Sequence, residues 1–479
     1  MRNVTSEQVI ARMRLENPWW DSRPEISASI LKYTPRPYLE LFQPLVEDRS
    51  IRRAVVLLGS RRVGKTVMIH HSIQRLMNKG IDPKMIFYIT VDHPLYNGLG
   101  LEELLALYNK AAGTDFTKDA CYVFFDEIQY LRNWEIHLKA IVDSWESVKC
   151  IASGSAAAAL RMKSSESGAG RFTDFLLPPL TFFEYLSLLD CSELVEIGHS
   201  RAEDFSTDNI ERLNTLFIDY INYGGFPEVA LSEEIRKDPG RYVKSDIIDK
   251  VLLRDLPGLY GIQDIQELNY LFTTLAYNTA GEVSLGELSM NSGASKNTLK
   301  RYIDYLEAAF LIRIVHRLDR NARRFKRARC FKVYLTNPSI RSALFQPVYS
   351  EDEFMGAMAE TAVFSQWFHS NSTLYYSRWK SGEVDIIHLN PLQKVISAIE
   401  IKWSDRFYSN PGELRSLFSF CHENNLTSAI VTTKTKTGRI QIKSINIEFV
   451  PASLYCFGLG FNIIHSQRFQ GDSNGIPIF

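Results

Sequence analysis

The chain has 479 residues, too long for one ordinary core, so two or three domains are expected. Hydrophobic residues make up 45% and charged residues 23%, which are globular values. Lys+Arg and Asp+Glu both count 55, and this balance excludes a globally basic nucleic-acid binder while leaving room for a local basic patch.

The N-terminus, Met1-Arg2-Asn3-Val4-Thr5, opens a polar amphipathic stretch and not an apolar signal core. No run of about 18 apolar residues occurs, so no membrane partner is expected. The six cysteines form no CxxC pair, which argues against a zinc knuckle. Free, buried thiols in a reducing compartment are the simplest reading, and a cytoplasmic location is expected.

Residues 1–50 read as a lead-in anchored by Asn17-Pro18-Trp19-Trp20 and Tyr33-Thr34-Pro35-Arg36-Pro37. Over residues 51–190 strands and helices alternate. Ala54-Val55-Val56-Leu57-Leu58 is a continuous apolar run of the kind a parallel strand shows when both its faces are covered. A helix is expected from Lys65 to Met77, then strands at Met85–Val91, Tyr122–Phe125 and Lys149–Ala152. The alternation predicts a doubly wound α/β domain.

Residues 191–280 are mostly helical in pattern, broken at Gly224-Gly225-Phe226-Pro227. Residues 281–335 read as helix (Ser284–Met290), turn, helix (Lys296–Phe310) and strand (Ile312–Arg317). Leu299, Ile303, Leu306 and Phe310 share one apolar face, and the outline is that of a winged helix. Residues 336–479 return to α/β, with a helix through Ala359–Trp367 and strands at Leu374–Tyr376, Glu383–Leu389, Val395–Lys402 and Ser428–Thr432.

The pattern GxxxxGK[ST] is met by Gly59-Ser60-Arg61-Arg62-Val63-Gly64-Lys65-Thr66, between an apolar strand and a helix N-terminus. The glycines let backbone N–H groups wrap phosphates, Lys65 reaches the β- and γ-phosphates, and Thr66 ligates Mg²⁺. ATP and Mg²⁺ are the expected cofactors. About 60 residues on, Tyr122-Val123-Phe124-Phe125 ends in Asp126-Glu127. Asp126 is placed to hold Mg²⁺ through water and Glu127 to polarise the attacking water. Ser153, at the next strand end, is a candidate γ-phosphate sensor. Arg171 is a candidate source of transition-state charge, in its own chain or a neighbour's.

Together with Ser153-Gly154-Ser155, Gly170-Arg171, Pro178–Tyr185 and Gly224–Glu228, these motifs resemble the prokaryotic AAA-type ATPases of the AAA_14 family. In that family the ATPase domain is joined to a domain of unknown function, DUF4143. The resemblance implies a P-loop AAA+/STAND-like fold, a winged helix and a nuclease-like C-terminal domain. The use of a neighbour's arginine in such domains favours a homo-oligomer.

Two further features bear on partners. Between Arg313 and Lys332 lie nine basic residues, Arg313, Arg317, Arg320, Arg323, Arg324, Lys326, Arg327, Arg329 and Lys332, against one acid, Asp319. Lys296, Lys300 and Arg301 add to them. Contact with DNA or RNA phosphates is the functional reading, and pairing with acids inside the protein is the alternative. Downstream, Glu400 and Lys402 are two apart, so they project from one strand face, and a hairpin can bring Asp385 beside them. With helix-borne Glu360 the set resembles a PD-(D/E)xK nuclease core. Asp385 and Glu400 would be metal ligands, and Lys402 would orient or deprotonate the water. The rival reading is a STAND-like sensor of a protein partner, or a nucleotide-switched scaffold, with a non-catalytic C-terminal domain.

Overall fold

Five strands assemble a parallel sheet in the computed structural model, which describes residues 4–21, 26, 30, 32–155, 170–198, 205–323, 330–368, 370 and 372–465. The strands are β1 (Ala54–Leu58), β2 (Ile86–Thr90), β3 (Cys121–Asp126), β4 (Val148–Gly154) and β5 (Phe172–Leu176). All run parallel, in the order β2-β3-β4-β1-β5. β1, β3 and β4 are buried along their whole length, as the apolar runs of β1 and β3 require; in β4 the buried Lys149 donates to the Asp48 carbonyl. β5 is a partly exposed edge strand whose Thr173 and Asp174 hid it from the apolar-run reading. Helices Lys65–Asn78, Leu101–Ala112 and Trp134–Ser144 make the crossovers.

The chain divides into two compact units, Met1–Leu177 and Pro178–Phe479. This division falls ahead of the ATPase-domain end expected at 190. Helix Phe182–Leu188 belongs to the second unit, its start fixed by a reciprocal cap between Thr181 and Glu184. Phe182 N–H donates to Gln366 Oε1 at 2.9 Å, and the Phe183 ring meets Phe457 and Phe461 edge-on. The Gly224-Gly225 break is also structural. The Gly225 carbonyl accepts from Leu180 N–H at 2.9 Å, and a Cβ there would fall on the side chains of Asn337 and Ser339.

In the second unit a short antiparallel pair, β6 (Glu196–Ile197) and β7 (Phe205–Ser206), precedes a nine-stranded sheet. Its strands are β8 (Glu282–Ser284), β9 (Ile312–Leu318), β10 (Cys330–Leu335), β11 (Leu374–Trp379), β12 (Gly382–Leu389), β13 (Val395–Glu400), β14 (Ser428–Thr433), β15 (Gly438–Ile442) and β16 (Ile445–Pro451). They lie in the order β15-β16-β14-β13-β12-β11-β9-β10-β8.

Helix Ile265–Tyr277, β8, helices Leu285–Ser292 and Lys296–Ala308, and antiparallel β9 and β10 follow one another. Leu299, Ile303 and Leu306 are buried as expected. Phe310 lies past the helix end, at positive φ. β9 then pairs in parallel with β11, so the sheet runs straight through the boundary expected at 335–336.

Beyond it, helix Met355–Trp367 leads into the antiparallel meander β11-β12-β13. Helix Arg415–Glu423 carries the chain over to β14, parallel to β13. Val384, Ile387, Ala398, Leu417, Phe420 and Val431 form part of this region's core.

Candidate nucleotide site and a lysine-bridged carboxylate cluster

The loop after β1 is shaped for close backbone approach. Gly64 and Arg62 both take positive φ, and a Cβ on Gly59 would fall on the Leu177 carbonyl oxygen. Arg36 Nη1 donates to the Val63 carbonyl at 2.7 Å and holds the loop from outside. Lys65 is buried, its ammonium donating to the carbonyls of Gly59 (3.0 Å) and Ser60 (2.9 Å). Ser60 Oγ is buried without a hydrogen-bond partner. A buried cation and an orphaned hydroxyl at a helix N-terminus fit a phosphate chain.

β4 lies between β1 and β3, and its end links the loop to the acidic pair. Thr66 Oγ1 donates to Asp126 Oδ2 at 2.7 Å, Tyr88 Oη donates to the same oxygen at 3.0 Å, and Ser153 Oγ donates to Asp126 Oδ1. The two expected Mg²⁺ ligands, Thr66 and Asp126, are thus in direct contact. Ser153, the expected γ-phosphate sensor, is fully buried with its hydroxyl turned to Asp126. Tyr88 was not anticipated: burial and the Asp126 charge push its phenol well above the ordinary range, fixing it as a neutral donor.

Glu127 takes a left-handed backbone (φ 56°), which turns its side chain out of the strand. Its N–H donates to Asp126 Oδ1 and Ser153 Oγ, and its carboxylate accepts from Gln129 Nε2. Gln129 Oε1 in turn accepts from Ser155 N–H at 3.1 Å.

Arg171 is not brought to this site. It directly precedes β5, and its carbonyl bonds Ala54 at the start of β1, so it sits at the opposite end of the strands from the P-loop. Its guanidinium, 44% exposed, pairs with Asp143.

The C-terminal set does converge. Glu360 comes from helix Met355–Trp367, Asp385 from β12 and Glu400 from the end of β13, with Lys402 just beyond. Lys402 Nζ lies 2.7 Å from Glu400 Oε1 and 3.7 Å from Asp385 Oδ2. Ile401 N–H donates to Asp385 Oδ2 at 2.9 Å.

A second lysine was missed. Lys332, on β10 and only 3% exposed, sits 2.9 Å from Glu360 Oε1, 2.5 Å from Glu383 Oε1 and 3.5 Å from Asp385 Oδ1. Tyr334, two residues on and so on the same strand face, donates to Glu360 Oε1 at 2.6 Å.

Burial raises the Glu400 carboxyl to about 8, aided by the nearby Asp385 charge. Burial also works against the charge of Asp385, but Lys402 and Lys332 outweigh it and hold this group below the ordinary value. Glu360 is raised by burial against the pull of Lys332.

The expected metal pair is therefore assembled but turned to ammonium groups. Lysines address both oxygens of Asp385, and among the described residues no three acidic, His or Cys side chains are placed to hold a metal ion.

Much of the described part of the basic stretch is engaged within the chain. Lys332 is an internal cation and not a phosphate contact. Arg317 pairs with Glu282 at 3.4 Å and Arg320 with Glu423 at 2.5 Å, while Arg313 lies over the Phe368 ring. Arg323 is exposed, and Arg324, Lys326, Arg327 and Arg329 lie outside the described residues. All six cysteines are free thiols. Among the described residues no helix is long and apolar enough to cross a membrane.

Residues 51–186 match the family model AAA_14, an AAA domain. The resemblance implied DUF4143 over residues 336–479; the match found is to a different domain of unknown function, DUF8612, over residues 214–349.

An uncharacterized protein of Methanocaldococcus jannaschii is 26% identical over 343 residues, covering 69% of this chain and 71% of that one. One of Haemophilus influenzae is 25% identical over 275 residues, covering 56% and 64%. The solved structure of the Aeropyrum pernix Orc1 protein in complex with DNA aligns over 69% of this chain and 96% of that one. At 13% identity and a TM-score of 0.30 the overlap is too loose to bear on function.

Proposed function

We propose that this chain binds and hydrolyses ATP, and that its nucleotide state controls a nucleic-acid-binding second half. The contact between Thr66 and Asp126, with Lys65 buried in the loop and Glu127 alongside, carries the first part. Bound Mg²⁺ would neutralise charge developing between the β- and γ-phosphates. Thr66 and Asp126 would hold it, Lys65 and the loop N–H groups would cradle the phosphates, and Glu127 would orient the water. Because Gln129 holds the Glu127 carboxylate, that carboxylate must exchange this donor for water when it acts.

We read residues 265–335 as a winged helix and the region from 355 onward as PD-(D/E)xK-like. The order helix, three antiparallel strands, helix, parallel strand supports the second reading. Exposed Lys296, Lys300 and Arg301 on helix Lys296–Ala308 would meet DNA or RNA phosphates. The free thiols agree with a cytoplasmic protein. The lysine-bridged cluster favours a C-terminal region that grips or senses, whether nucleic acid or a protein partner in a homo-oligomer, over one that cuts.

Fluorescent-ATP binding and phosphate release test the assignment. Lys65→Ala removes a charge-assisted contact of about 1.5–3 kcal/mol, so binding should weaken by about 10- to 100-fold. Glu127→Gln should keep binding and lose about 10²–10⁴ in turnover. Wild-type affinity in Lys65→Ala would sink the site. Undiminished turnover in Glu127→Gln would sink its role. Cleavage of DNA or RNA by the wild type with Mg²⁺ or Mn²⁺, lost in Asp385→Ala/Lys402→Ala, would restore the nuclease reading.

A further inference from the structure

Arg341, on helix Ser339–Leu344, is only 3% exposed, yet no Asp or Glu among the described residues pairs with it. Its guanidinium lies over three aromatic rings instead. It stands 5.4 Å from the centre of Tyr277, 5.4 Å from that of Phe345 and 4.3 Å from that of Phe354. The Tyr277 ring meets the other two edge-on, so the three rings box the cation. Each ring is itself 37% to 45% exposed, so the outer side of the box faces solvent. A guanidinium carries five N–H donors in one plane. Here Nε donates to the Tyr277 carbonyl at 3.5 Å, and among the described residues neither Nη group has an acceptor. Burial pushes the group below its ordinary range, with only Tyr277 acting the other way. Ring faces offset part of the cost of drying a cation, but they satisfy none of its in-plane donors.

We infer that this box is a docking surface for a partner protein, whose Asp or Glu side chain, set beside an apolar residue, pairs with Arg341. A carboxylate matches the planar fork of Nη donors and supplies the missing counter-charge. Half-exposed aromatic rings grouped about an arginine have the composition of a protein-binding hot spot. The exposed acids Asp352 and Glu353 directly precede Phe354 and would repel a polyanion, which favours a protein over a nucleic acid at this face. Side chains this exposed change rotamer rapidly, so Phe345 and Phe354 can turn aside to admit the carboxylate. The box is built wholly from the second unit. The inference goes beyond the reading of that unit given above, and rests on neither its nucleic-acid face nor the ATPase assignment.

Phage-displayed random heptapeptides, selected on the immobilised, nucleotide-free full chain, test it. The enriched sequences should share an Asp or Glu next to Leu, Phe or Trp. A synthetic copy should bind the wild type, and its Asn or Gln analogue about ten-fold or more weaker. Arg341→Met should weaken the acidic peptide by a similar factor while keeping the wild-type circular dichroism. If Arg341→Met does not fold, Tyr277→Ser and Phe345→Ser, which alter half-exposed rings of the same box, decide in its place. A selection that yields no acidic consensus would overturn the inference. So would acidic peptides that these variants bind as tightly as the wild type does. Binding of a fluorescein-labelled oligothymidylate that is lost in the same variants would overturn it too, by giving the surface to nucleic acid. Because no arm contains nucleotide, the outcome is independent of whether Lys65 binds ATP.

Discussion

Glu400 and Asp385 lie on adjacent strands of one cluster, yet their surroundings push their protonation in opposite directions. Glu400 binds its proton more tightly folded than unfolded, from an ordinary value of 4.5 up to about 8. The folded state therefore loses stability from this group as pH rises from about 4.5 through 8, and none below that window, where the group is protonated in both states. Glu400→Gln removes the term. The variant should gain on the wild type between pH 5 and pH 8 by on the order of 2 kcal/mol in denaturant unfolding. A difference that does not change with pH would contradict it.

At this scale the nucleotide site was legible and the cluster only partly so. Gly59, Lys65, Thr66 and Asp126 follow a spacing that the strand–loop–helix geometry imposes. Lys332 could not be found that way, because a lysine in a run of arginines looks like surface charge until the later strands that bury it are placed. The position of Arg171 was hidden in another way: it depended on β5, whose polar residues gave no apolar run.

Among the elements, helix Lys296–Ala308 divides its faces cleanly. Leu299, Tyr302, Ile303 and Leu306 are inward, while Lys296, Lys300 and Arg301 are exposed. The inward set was readable from 3.6-residue periodicity; the ends were not, since Phe310 continues the pattern after the backbone has left it. If the exposed face meets phosphates, Lys296→Ala/Lys300→Ala/Arg301→Ala should lower the slope of log K against log salt by about 2–3 for duplex DNA. An unchanged slope and affinity in a fluorescence-anisotropy titration would place the contact elsewhere. Arg301 must first give up its bonds to Tyr305 Oη, and Tyr305 stacks on Tyr260 at 3.7 Å.

For the whole molecule, the sheet and not the motif sets the units. A fragment of residues 178–479 keeps all nine strands together and should unfold in one cooperative transition. A fragment of residues 336–479 would expose the β11 edge that pairs with β9, and would strip buried Lys332 and Tyr334 from half-buried Glu360. Unpairing a buried charge costs about 3–5 kcal/mol, so the shorter fragment should be insoluble or lack a cooperative transition by circular dichroism. A well-folded 336–479 fragment would show that the long sheet is two independent halves.

The β10 strand has a consequence for how such a chain can change in length. Neighbouring side chains on a strand point to opposite faces, so losing Phe331 would turn the ammonium out of the cluster and bring the apolar Val333 toward three acids. A two-residue loss would restore the face but shift the level along β9 by one pleat. Single-residue length variation is thus tolerable in the connection before β10 and ruinous within it. A lineage that dropped a residue there would have to replace the lysine or discard the acids with it.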